Sequence, residues 1–151
     1  MSTGDLQRDV AAFFGSLFER CGFHETYYTY DRKHFGNEIL EMTREDGTRL
    51  QFTRDRSQVF LYVAARDRPR VLVDDLLQLL GFREVSYGDA NGMPKDGLPE
   101  ELKAQVNQSF DAVLSLLSEP DIYGRVETIQ RERFNRWFSG SAGGRTSASP
   151  R

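Results

Sequence analysis

The sequence has few residues that do chemistry. Its 151 residues include a single cysteine, Cys21. No intrachain disulfide can form, and a secreted disulfide scaffold is excluded. There are two histidines, His24 and His34. Neither belongs to an i, i+4 histidine pair, and no paired-cysteine motif exists. Glu25, Asp31 and Glu38 could meet them, but two histidines ten residues apart across a turn carry no metal signature. No metal and no cofactor is therefore expected. No apolar run approaches the roughly 20 residues that span a bilayer. The start, MSTGDLQRDVAAFF, lacks a basic segment followed by an apolar one, so no secretory signal is expected and a cytoplasmic location is the default. Charge of one sign is scarce as well. The net charge of −3 gives no global pull toward nucleic acid or anionic membrane. Lysine is rare, and arginine outnumbers it 17 to 3. Guanidinium groups favour bidentate contacts with anions, although genomic base composition produces the same bias.

What remains suits one globular domain. Hydrophobic residues make up 38% and charged residues 28%, unlike a disordered chain. The length allows a real core without staples. We read 1–138 as a single domain and 139–151, small, polar and glycine-rich, as a disordered tail.

Asp5 to Cys21 predicts an amphipathic helix, with Leu6, Val10, Phe13, Phe14, Leu17, Phe18 and Cys21 at helical spacing. Ser2 or Thr3 can cap its start, and Gly22 suits the C′ position. Aromatic and β-branched residues favour an extended stretch from Glu25 to Tyr30. EILEMTRE and TRLQFTR read as strands around Asp46-Gly47, a type I′ hairpin signal. RDRSQ makes a second turn, and VFLYVAA a third strand that is apolar on both faces, hence central. VLVDDLLQLLG predicts a short helix closed by Gly81. The irregular stretch 82–97 could hold a short strand near Arg83 to Tyr87, and loops of this length are often functional. Leu98 to Leu117 predicts a helix with Pro99, Glu100 and Glu101 in its first turn. A last helix is expected over 121–138. The fold class expected is α+β: an antiparallel three- to four-stranded meander with an N-terminal helix and two or three C-terminal helices.

Five arginines flank the third strand. Arg54 and Arg56 precede it, and Arg66, Arg68 and Arg70 follow it. Seven residues of strand cover about 23 Å, which puts the two groups at opposite ends of the sheet. Each group also carries an aspartate, Asp55 or Asp67. A nucleic-acid binder needs a continuous basic groove with stacking aromatics. This pattern favours solvated turn arginines instead.

Tyr27, Tyr28 and Tyr30 bring area and a hydrogen-bonding tip at low entropy cost, as interface residues do. If Tyr28 and Tyr30 share a face with Phe60 and Tyr62, an aromatic contact surface follows. Cys21 lies on an apolar helix face and reads as an inert thiol. Asp74 with Asp75, and Glu100 with Glu101, are adjacent pairs. Helix neighbours point about 100° apart, so neither pair is a two-carboxylate catalytic site by itself. Helix-dipole carboxylates describe them better.

The expected function is a small protein-binding module without catalysis. Its partner-binding residues would be Tyr28, Tyr30, Arg54, Arg56, Phe60 and Tyr62. The alternative is a nucleic-acid binder using Arg49, Arg54 and Arg56 with nearby tyrosines. Ile122, Ile129, Trp137 and Phe138 give the last helix enough apolar area to dock on the sheet or to form a homodimer. In layout alone, the chain resembles small acidic α+β bacterial immunity proteins, which neutralise a toxin partner, and secretion chaperones. The resemblance implies a protein partner and assigns no site residue.

Overall fold

The computed structural model describes residues 5–34 and 36–148. The expected caps Ser2 and Thr3 lie outside the described residues. The chain forms α1 (Asp5–Arg20), β1 (His24–Asp31), β2 (Asn37–Thr43), β3 (Arg49–Asp55), β4 (Gln58–Ala64), β5 (Val71–Leu72), α2 (Val73–Leu79), α3 (Glu100–Leu117) and α4 (Ile122–Ala148). The strands make one antiparallel sheet in the order β1-β2-β3-β4-β5. This is the α+β meander expected, with one short strand more.

Three boundaries differ from expectation. The stretch VLVDDLLQLLG begins as β5 pairing with β4, because Val71 and Leu72 face Val63 and Tyr62 before the helix starts. Residues 82–87 form no strand. Helix α4 runs to Ala148, so most of the stretch expected as a disordered tail is helical, and 149–151 lie outside the described residues.

Local chemistry sets the connections. Gly22, at φ +88°, ends α1 in a Schellman motif: its N–H donates to Glu19 O at 3.0 Å, and the Phe23 N–H to Phe18 O at 2.8 Å. The Asp46-Gly47 turn is longer than the two-residue hairpin expected. Residues 44–48 connect β2 and β3. The Asp46 carboxylate organises them, accepting from Arg44 Nε at 2.9 Å and from the Thr48 N–H at 3.0 Å. Those bonds hold Asp46 well below the usual carboxylate pKa. The two-residue turn is instead Arg56-Ser57, with Arg56 at φ +61° and its N–H bonded to Asn37 Oδ1 at 2.7 Å.

The core lies on one face of the sheet. Leu6, Val10, Phe14, Leu17 and Phe18 of α1 and Leu102, Val106, Phe110 and Val113 of α3 are buried there. The Phe14, Phe18, Phe52, Phe23 and Phe110 rings meet with centroids 5.1–6.2 Å apart.

Candidate functional site

Sheet register decides which expected contact residues can act together. Tyr28 pairs with Leu40, Leu40 with Phe52, and Phe52 with Leu61. Tyr30 likewise pairs with Glu38, Glu38 with Arg54, and Arg54 with Val59. Directly paired residues share a face, so Tyr28, Tyr30 and Arg54 lie on the helix-covered face. Phe60 pairs with Thr53 and Tyr62 with Gln51, which places both on the opposite face. The aromatic surface joining Tyr28 and Tyr30 to Phe60 and Tyr62 therefore does not form.

Arg54 is not a surface residue. It is 2% exposed, and its Nε bonds to Glu38 Oε2 at 2.9 Å, with Glu38 itself 0% exposed. Tyr28 Oη donates to the other Glu38 oxygen at 2.5 Å. Asp96 lies 3.5 Å and Asp9 3.8 Å from the guanidinium. This is a buried ion pair with a hydroxyl attached. The alternative reading loses Arg54, and its other two arginines fall at opposite ends of β3, with Arg49 opening the strand and Arg56 just beyond its close. Arg49 instead joins Arg68 and Arg70 around a small cleft of about 140 Å³ that includes Tyr62. There Arg70 stacks 3.9 Å over the Tyr62 ring and donates to Gln51 Oε1.

The two histidines are also apart. His24 opens β1, and His34 lies beyond its end, where its Nδ1 is 2.6 Å from Asp31 Oδ2. Among the described residues no group of three or more His, Cys, Asp or Glu is placed to hold a metal. Cys21 is half-buried, and burial, reinforced by nearby Asp111, pushes its thiol pKa up.

Several unusual side chains converge at a cleft of about 480 Å³ between the outer side of β4, the start of α2, the 84–87 segment and α4. Phe60, Tyr87 and Trp137 supply its aromatic lining; Asp74, Gln78, Glu84 and Arg133 supply its polar groups. Phe60 and Tyr87 pack as tilted rings with centroids 4.7 Å apart, which covers part of the outer face of β4 and fits its expected central place. Asp74 is 4% exposed. Its Oδ2 accepts from Tyr87 Oη at 2.6 Å, while its Oδ1 is buried with no hydrogen-bond partner among the described residues. Gln78 Nε2 and Arg133 Nε are likewise buried without a hydrogen-bond partner. Burial raises the Asp74 pKa to about 6, with neighbouring Asp75 adding to the rise and the Tyr87 bond opposing it. Burial likewise drives the Tyr87 hydroxyl far above its ordinary range.

Asp75 points elsewhere, as helix geometry requires. It is fully buried against α4, accepting from Arg133 Nη2 at 2.6 Å and Gln130 Nε2 at 3.0 Å. Arg133 Nε also lies 2.8 Å from Glu84 Oε1. The pair thus serves two sites, and dipole stabilisation alone is too small a description of it.

Beside the cleft, α4 divides in two. Ile122 and Val126 are buried, and the first half packs on α2 instead of docking on the sheet. Further along, Phe134, Trp137 and Phe138 are 59%, 77% and 52% exposed, at i, i+3 and i+4 on one face. Phe134 and Phe138 pack as tilted rings with centroids 4.4 Å apart. Of the residues expected to bind a partner, only Phe60 lines this cleft. The sequence does not mark Asp74, Gln78, Tyr87 and Arg133 as ligand-facing, although the length of the 82–97 loop, which contributes Glu84 to Tyr87, is a usable signal. No helix among the described residues is long and apolar enough to cross a membrane. No family model matches this chain, and neither a curated protein nor a solved structure matches it.

Proposed function

We propose that the protein is a binding module without catalysis, acting in the cytoplasm on another protein. The contact surface is the α4 face that carries Phe134, Trp137 and Phe138, with the adjoining cleft. One observation carries this reading: three large aromatics stand more than half exposed on one helix face, next to a cleft with unused polar groups. Aromatic residues dominate the energetics of protein interfaces, and exposed apolar patches on single chains mark partner sites. Roles of the immunity or chaperone kind are forms of this reading.

The test compares the wild type with a Phe134→Ser/Phe138→Ser variant. Sedimentation should show a 17.3 kDa monomer for both. Crosslinking in the native host should give a discrete adduct with the wild type that the variant loses. A wild-type dimer that the variant abolishes would assign the patch to self-association and overturn the reading. An adduct unchanged in the variant would also overturn it.

A further inference from the structure

We infer that the cleft under Trp137 receives an arginine side chain of the partner protein, its guanidinium bonded to Asp74 Oδ1 and stacked against the aromatic lining. The inference rests on the α4 reading and names the group that enters the cleft.

Charge selects a cation. The ionisable groups around Asp74 are Asp75 from α2, Glu84 and Tyr87 from the 84–87 segment, Arg133 from α4 and Tyr62 from β4. Arg133 is already engaged with Asp75 and Glu84. Arg136 lies 3.8 Å from the same Glu84 oxygen. Three carboxylates against two guanidiniums leave the site negative. The unused polar atoms specify more. Asp74 Oδ1 is an acceptor without a donor, on a residue more than nine-tenths buried. Gln78 Nε2 and Arg133 Nε are buried donors without a hydrogen bond, so the Gln78 carboxamide serves a cation only with its oxygen turned to the cleft. The shape points the same way. A guanidinium is planar and weakly hydrated, and it stacks on aromatic faces while donating in its own plane. Phe60, Tyr87 and Trp137 provide such faces.

Trp137 is the only tryptophan in the chain and so reports on the cleft directly. The full chain is titrated with N-acetyl-Gly-Arg-Gly-amide and with butylguanidinium. The matched neutral probes are the citrulline peptide and butylurea. Both cations should shift Trp137 emission saturably, and both neutral probes should fail to. Asp74→Asn should weaken the cations about tenfold or more. Lowering the pH from 7.5 to 5 should weaken them in the wild type too, as Asp74 takes up its proton; this arm needs no variant to fold. The inference is overturned if the cations give no saturable shift, or if binding is indifferent to charge, to Asp74→Asn and to pH. Butylguanidinium binding without the peptide would assign the cleft to a free cation and overturn the partner side chain. If both cations bind while Phe134→Ser/Phe138→Ser leaves the host adduct unchanged, the cleft stands and the α4 contact fails.

Discussion

Two residues show how single positions are committed. Gly47 sits at φ +90°, and an added Cβ would meet Arg66 Cβ and Cγ at 2.8 Å. Left-handed backbone costs a side-chain-bearing residue about 1–2 kcal/mol, and the contact adds to that. Gly47→Ala should therefore lower stability by at least this amount in denaturant unfolding, and an unchanged midpoint would contradict the turn geometry. Asp74 carries a different commitment. Its folded pKa of about 6 lies above the ordinary 3.8. Between these values the folded state holds the proton more tightly than the unfolded chain does. Stability is therefore undiminished below pH 3.8 and falls as pH rises toward 6. The loss is up to about 3 kcal/mol, a two-unit shift at 1.36 kcal/mol per unit. Asp74→Asn should remove this decline, making the variant more stable at pH 7 and indistinguishable from wild type at pH 3.5. Parallel pH–stability curves for the two proteins would refute burial as the cause.

At the scale of elements, strand faces illustrate what was legible and what was not. Alternation within TRLQFTR identified Leu50 and Phe52 as one face, and both are buried. Helical spacing identified α1, α3 and the first half of α4 equally well. The relation between strands was hidden, because it depends on connection length. The five-residue connections 32–36 and 44–48 set even-numbered positions opposite even-numbered ones, up to the bulge between Glu25 and Tyr27 in β1. The two-residue turn at Arg56-Ser57 sets even opposite odd. A one-residue change there would have moved Phe60 and Tyr62 to the core face, and RDRSQ does not announce a two-residue turn, since Arg56 adopts the positive φ normally left to glycine or asparagine. Burial of charge was hidden for a related reason: Arg54 and Glu38 are polar in sequence and become interior only because they face each other across β2 and β3. Removing one partner leaves the other charge buried and alone. Arg54→Met should cost about 3–5 kcal/mol, and the Arg54→Met/Glu38→Met double variant should recover most of it. Additive losses in the double variant would mean that the two side chains are not coupled.

For the whole molecule, α1 and α3 cover one face of the sheet, and α2 packs with the first half of α4. Arg133 and Trp137 of α4 stand over the outer face of β4, and residues 84–87 line the remaining side of the cleft. This layout places the contact surface at one side of the molecule, away from the β1 edge where Tyr27 stands half-exposed. A photo-crosslinking residue in place of Phe138, compared with one in place of Tyr27, separates the two surfaces in the native host. The account predicts a discrete adduct from position 138 and none from position 27. An adduct from position 27 alone would return recognition to the sheet and contradict it.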